Sequence, residues 1–210
     1  MRLFTYVLDH DFGFAPNPFH GLCTLATCKP KIRSTAAAGD VIVGTGCARR
    51  SRAGYLVYYM IVKETCTFEE YWNDSRFRMK RPSMRGSIMQ AVGDNIYHRE
   101  GTASWVQENS VHSLSDGTPN PKNIEHDTRT NRVLVSEDFG YWGGEGPKLP
   151  ERLRNFDGAD AVAKRAHRSN FSPAHIEAMV GWLRTLGAGG EHGKPTDWDR
   201  VPRGAASSRA

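Results

Sequence analysis

The 210-residue chain reads as an α+β fold: a small curved mixed β-sheet flanked by helices, with long ordered loops and a C-terminal helix. Three observations predict it. Short β-branched and aromatic runs, "LFTYVL", "VIVG" and "GYLVYYMIVKET", are set apart by Gly- and Pro-marked breaks. From Ser75 to Arg129 periodicity disappears, and only then does another strand, "RVLVSE", follow. The last third carries an apolar stripe at helical spacing.

Taken in order, Leu3–Leu8 is a short buried strand that ends at Asp9, where the polar, Gly- and Pro-broken stretch "DHDFGFAPNPFHGLCTLATCKPKIR" begins. A helical turn through Ala36–Ala38 and a Gly39-Asp40 turn lead to a strand over Val41–Gly44. The longest strand places Leu56, Tyr58, Met60 and Val62 on one face and Val57, Tyr59 and Ile61 on the other. Both faces are apolar, which predicts a central position. Thr67 and Glu70 stand at capping-box spacing ahead of a short helix over Phe68–Asn73. The irregular stretch Ser75–Arg129 reads as an ordered functional loop, because Ile96, Tyr97, Trp105, Val111 and Leu114 are spaced through it like anchors. Ser172 and Pro173 open the C-terminal helix, whose stripe is Ile176, Met179, Val180, Leu183 and Leu186 before Gly187.

Composition narrows the class. With 39% hydrophobic and 24% charged residues the chain matches a soluble globular protein, and no apolar run nears the ~20 residues of a membrane span. "MRLFTYVLDHD" reaches Asp9 before a secretory apolar region develops, so a cytoplasmic protein is expected. Cys23, Cys28, Cys47 and Cys66 lack CxxC spacing and read as reduced thiols; no metal site and no cofactor is assigned. One globular domain is expected over 1–187, with its core over 1–150 and a helical extension over 151–187. Residues 188–210, rich in Gly, Pro, Ala, Ser and charge, read as a flexible tail.

Phosphate-loop, dinucleotide-binding, zinc-protease and hydrolase-elbow motifs are absent from the sequence. Three polar groups in irregular chain remain. In the first, Asn17, His20, Lys29 and Arg33 are candidate nucleotide contacts, the last two for phosphate; the alternatives are that Asn17 and His20 satisfy extended backbone around Pro16 and Pro18, and that Lys29–Arg33 is a basic entry to a helix. In "GDNIYH" and "WVQENSVHS", Asp94, Asn95, His98, Trp105, Gln107, Ser110 and His112 combine base-edge hydrogen bonding, stacking and proton transfer, against the alternative of loop support. The run "RFRMKRPSMR" holds Arg76, Arg78, Lys80, Arg81 and Arg85 with no acidic residue between them. It reads as a strip for a nucleic-acid backbone, or as a solvated basic loop.

The runs "FTYVLDHDFGFAPNPFHGLCTLATCKPKIR", "GDVIVGTG", "LVYYMIVKETCTFEEYW", "GDNIYH" and "VLVSEDFGYWG" closely resemble the nucleotide-modification-associated domain family of the second type, over about Leu3–Pro150. The resemblance implies a role with nucleotides or DNA, beside other enzymes of base-modification systems in phages and mobile bacterial elements. It supplies no catalytic assignment. "RSTAAAGDVIVGTG", the long strand and "TFEEYW" also look like the EVE and ASCH relatives of PUA-like barrels, which implies a small barrel whose pocket holds a modified base. Two functions are therefore carried forward. One is a base- or nucleotide-modifying transferase or hydrolase in which His112 or His98 moves protons, Asp94 orients, and Lys29 and Arg33 hold phosphate. The other is a non-catalytic reader that stacks a base on Trp105, or a scaffold subunit of a modification complex.

Overall fold

A computed structural model describes residues 1–201 apart from Arg165 and Ala188. The first strand, β1 (Leu3–Leu8), is followed by β2 (Cys23–Leu25), α1 (Pro30–Thr35), β3 (Val41–Gly46), β4 (Leu56–Ile61), β5 (Glu64–Cys66) and α2 (Phe68–Asn73). Next come α3 (Ile88–Ala91), β6 (Tyr97–His98), β7 (Val106–Gln107), α4 (Pro121–Thr128), β8 (Val133–Ser136) and β9 (Asp138–Tyr141). The chain continues through α5 (Glu151–Arg154), β10 (His167–Arg168), α6 (Pro173–Arg184) and β11 (Gly190–Glu191).

Six strands form one mixed sheet in the order β10-β1-β3-β4-β9-β11, with β1 parallel to β3 and β9 parallel to β11. It ends in two edges and does not close into the barrel that the PUA-like resemblance implied. A three-stranded antiparallel sheet, β2-β8-β5, lies over one face of it. Phe4, Tyr6, Tyr58, Met60 and Tyr141 pack there against Cys23, Leu25, Leu134 and Ile32 of α1. On the opposite face Leu3, Val41, Val43 and Tyr59 meet Leu153 of α5 and Met179 and Leu183 of α6. A third cluster, with Phe68, Tyr71, Phe77, Ile96 and Tyr97, covers the outer side of the small sheet through Val133 and Val135. The molecule is thus layered as helices, large sheet, small sheet, and loops with short helices.

The alternation expected along β4 holds for Tyr58, Met60 and Val62 on one side and Tyr59 and Ile61 on the other. It fails at the start of the strand, where Leu56 and Val57 exchange faces. The register of β3 and β4 shifts between Gly44 and Thr45, and a one-residue slip sends every side chain beyond it to the other face. A Cβ at Gly44 would overlap the Tyr58 ring, so glycine lets that ring lie against β3 with its hydroxyl 2.9 Å from the Tyr6 hydroxyl.

The Thr67–Glu70 capping box forms, and Ser172 caps α6 by accepting from the His175 N–H. The helix expected around Ala36–Ala38 instead occupies Pro30–Thr35, because Pro30 at its first turn sets the start. Residues 189–201 depart from the expected flexible tail: β11 pairs with β9, and the Asp197 N–H and carboxylate bond the Asp11 carbonyl and N–H, both at 2.9 Å. Backbone pairing and these bonds offset the ordering cost that composition alone leaves unmet. The remainder of that expected tail, 202–210, lies outside the described residues.

Candidate active site

The stretch Asp9–Arg33 leaves β1, loops through β2 and turns into α1 at Cys28 and Lys29. Both residues adopt the left-handed conformation, with φ 54° and 41°. For a side chain with a Cβ this region costs on the order of 1–3 kcal/mol per residue, so the surrounding bonds must hold the turn. Asp127 at the end of α4 supplies one, accepting the Cys28 N–H through Oδ1 at 2.7 Å. Arg33 supplies another: its Nε donates to the Cys28 carbonyl at 2.8 Å. The rest of that guanidinium donates to the carbonyls of Asp127, Thr130 and Arg132.

The turn points the Cys28 sulfur at His112. His112 Nε2 lies 3.5 Å from Sγ, and Nδ1 lies 2.8 Å from Asp127 Oδ2. The same carboxylate oxygen accepts the Tyr97 hydroxyl at 2.9 Å, and Gln107 Nε2 donates to that hydroxyl at 3.0 Å. Asn123 Nδ2 donates to the His112 carbonyl, the Ser110 hydroxyl accepts the His112 N–H, and the imidazole packs 4.7 Å from the Phe14 ring. The result is a thiol, an imidazole and a carboxylate in line, with the carboxylate fully buried and the imidazole partly open. Burial disfavours the imidazolium, but the Asp127 carboxylate and the Cys28 sulfur outweigh it and hold the His112 pKa up to about 10. Burial likewise opposes ionisation of Asp127, and the bond and charge of His112 win, holding its carboxyl below the usual range.

Two clefts meet at the thiol. One, of about 270 Å³, is lined by Tyr6, Phe12, Phe14, Val111, His112 and Cys28. The other, of about 560 Å³, shares Cys28 and Lys29 with the first and continues past Lys31, Arg129 and His167. Cys28, His112 and Asp127 also offer one sulfur, one nitrogen and one oxygen within 4.8 Å of one another, a donor set that suits zinc. However, the two ring nitrogens point to opposite edges of the imidazole. A metal ligated by sulfur and carboxylate together would therefore break a bond now made.

Of the residues singled out in the sequence, His112 and Lys29 reach this site, and Gln107 and Ser110 support it from behind. Arg33 is fully buried and spent on carbonyls, so it is a brace for the turn and not a phosphate contact. Asp94 is fully buried against the Thr24 and Tyr71 hydroxyls, at 2.8 and 2.7 Å, and cannot touch a ligand in this cleft. Asn17 is buried with its amide on Gly13 and Val92 carbonyls, and Asn95 is buried on Tyr71 and Phe77 carbonyls. His20 is exposed in a left-handed turn. His98 stacks on Trp72 at 3.9 Å and bonds Glu108, while Trp105 packs edge-on against Phe68 beneath Arg99. Neither lines the clefts at the thiol.

The basic strip dissolves in the same way. Lys80 is buried, its ammonium donating to Asn17 O, Asn17 Oδ1 and Leu22 O at 2.9, 2.7 and 2.6 Å. Arg76 pairs with Asp74 and Glu64, which the local sequence window did not include, and Arg81 lies on the Trp72 ring and its carbonyl. Only Arg78 and Arg85 remain exposed without an ion pair among the described residues. Conversely, Cys28 and Asp127 were missed. Asn120-Pro121, a cap residue before Pro at the first helical position, was the available signal for α4 and hence for Asp127.

A family model for nucleotide modification associated domain 2 matches residues 1–201. Neither the curated proteins nor the solved structures contain a match. Among the described residues no helix is long and apolar enough to cross a membrane.

Proposed function

Because the chain belongs to the nucleotide modification associated domain 2 family, we propose that it is a thiol-dependent enzyme of nucleotide modification, a transferase or hydrolase with Cys28 as nucleophile. The observation that carries this reading is the line from Cys28 Sγ through both nitrogens of His112 to Asp127. A reader of modified bases or a scaffold would need none of this alignment. The thiolate attacks an acyl carbon of the substrate, and the carbonyl electrons move onto oxygen. As that pair returns, the bond to the leaving amine or alcohol breaks and the His112 imidazolium gives the leaving atom its proton. Neutral Nε2 then takes a proton from water or an acceptor amine, which displaces the sulfur and regenerates the thiolate. Asp127 keeps Nδ1 protonated and Nε2 aimed at the sulfur, as the third member of such a set does.

Alkylation by iodoacetamide tests the reading without a known substrate. Burial pushes the Cys23 thiol up and the Cys66 thiol up to about 12, and Cys47 is buried, so Cys28 dominates the signal. Cys28, which lines both clefts and lies 3.5 Å from His112 Nε2, should be the thiol that is labelled first. His112→Ala should slow that labelling roughly tenfold or more, and Cys28→Ser should abolish it. Equal rates for wild type and His112→Ala would refute the assignment, and acceleration on adding a chelator would show that a metal occupies the triad instead. Nucleoside mass spectrometry of DNA from cells carrying wild type or Cys28→Ser then reports the product.

A further inference from the structure

The larger cleft at the thiol has an unbalanced charge. Its lining includes Lys29, Lys31, Arg129, His126 and His167, with Ser34 and Thr130 hydroxyls among them and no carboxylate. Among the described residues neither Lys29 nor Lys31 forms an ion pair, and Arg129 has only the exposed Glu125, 3.0 Å away and one turn back on the same helix. The cations feel one another: burial first, then the charges of Lys31 and Lys29, push the pKa of His167 below its ordinary value. Such a concavity is completed by an anion. The smaller cleft on the other side of Cys28 differs in being lined by three aromatic rings, those of Tyr6, Phe12 and Phe14, with Asp9 and His10 also in its wall, around a space of about 270 Å³ that suits a planar ring. Lys29 joins the two, lining both, its ammonium 4.6 Å from the centre of the Tyr6 ring.

We infer that the substrate bears a phosphoryl group held by Lys29, Lys31 and Arg129 in the larger cleft while its base enters the aromatic cleft, so that a 5′-nucleotide unit spans the thiol. This rests on the thiol reading for where the chemistry occurs, but the binding itself does not require a reactive thiol. It also relocates the phosphate contact: Lys29 belongs to it, whereas Arg33 and the Arg76–Arg85 segment do not. The ligand chemistry is common to a free nucleotide and to one unit of a DNA strand, and the probes below separate the two.

Isothermal titration at low salt with the four deoxynucleoside 5′-monophosphates, the four nucleosides, inorganic phosphate and a dodecameric single strand reads the site directly. Monophosphates should bind at least tenfold more tightly than their nucleosides, and phosphate should compete with them. In the double variant Lys31→Ala, Arg129→Ala the gap should shrink to less than threefold; both side chains are exposed, so the fold tolerates their loss. Tighter binding of the strand than of any monophosphate assigns DNA as the source, and the reverse order assigns the free nucleotide. The inference is overturned if nucleosides and monophosphates bind alike, or if the double variant keeps the full gap. Protection of Cys28 from alkylation by the same ligands locates them at the thiol. A slow, His112-independent alkylation beside an intact phosphate gap would sink the catalytic reading and leave this site standing, so the two failures are distinguishable.

Discussion

His112 sits where burial and charge oppose each other, and the balance decides what the thiol can do. Its pKa in the folded protein, about 10, lies above the unfolded value of about 6.5. The stability it contributes is therefore complete below pH 6.5 and is lost as pH rises through 10. Asp127 runs the other way: its folded pKa is depressed, so its contribution is present above about pH 4, the ordinary value of an aspartate, and is lost on acidification below that. The ion pair consequently spans the whole neutral range. Asp127→Asn should remove it, costing on the order of 3 kcal/mol in denaturant unfolding at pH 7, as breaking a buried pair does. The same variant should show a smaller loss at pH 11 than at pH 7. A constant difference between those pH values would mean that His112 is not the partner that titrates. Lys80 presents a separate case. Desolvation lowers its pKa to about 8, yet three oxygens hold the ammonium. Lys80→Ala should cost on the order of 3 kcal/mol by orphaning those acceptors, while leaving the salt dependence of nucleotide binding unchanged.

At the scale of elements, the sequence was most readable where periodicity and capping act locally. The apolar runs of β1, β3 and β4, the Thr67–Glu70 box ahead of α2 and the Ser172-Pro173 start of α6 all carry their signal within a few residues. His112 also emerged from its polar surroundings. Cys28 and Asp127 did not, because what brings them together is a contact across 99 positions, from the Cys28 N–H to the Asp127 carboxylate. Metal spacing and disulfide density, the two patterns cysteines show in a sequence, give no signal for a single cysteine in the role proposed for Cys28. The basic strip misled for a related reason: a charge run shows its neighbours in sequence, whereas Glu64 and the Asn17 and Leu22 oxygens that neutralise or bury it come from elsewhere. The helix that delivers Asp127, α4, is eight residues long and polar, with Asp127 its buried residue. Its stability therefore leans on its cap: Asn120 Oδ1 accepts the Lys122 N–H at 3.1 Å, and the Asn120 N–H donates to Gln107 at 2.7 Å. Asn120→Ala should cost about 1 kcal/mol in thermal or denaturant unfolding while keeping the pH profile of Cys28 alkylation. A collapse of that profile would mean that the cap sets the geometry of the triad as well as the stability of the helix.

Across the whole molecule, the C-terminal segment fastens the cleft wall that the N-terminal stretch builds. Asp197 accepts the Asp11 N–H and pairs with Arg50, Thr196 donates to the Asp11 carboxylate at 3.3 Å, and the Trp198 indole donates to the Phe12 carbonyl at 3.1 Å. Tyr141 of β9 completes the knot by donating to Asp11 Oδ1 at 2.6 Å. Phe12, which lines the aromatic cleft beside Cys28, is therefore held from behind by residues nearly two hundred positions later in the chain. Ending the chain after Gly187 removes β11, Thr196, Asp197 and Trp198 together. At about 1 kcal/mol for each of several hydrogen bonds, a loss of roughly 3 kcal/mol is expected, equivalent to about 6–12 °C in Tm for a chain of this length. Hydrogen exchange should then rise across residues 9–19 while the central strands β3 and β4 stay protected, because local opening follows the contacts removed. If β3 and β4 lose protection to the same degree, the segment is part of the cooperative core and not a clasp on the cleft. If residues 9–19 stay protected, the bond from Tyr141 to Asp11 suffices to hold that stretch without the C-terminal segment.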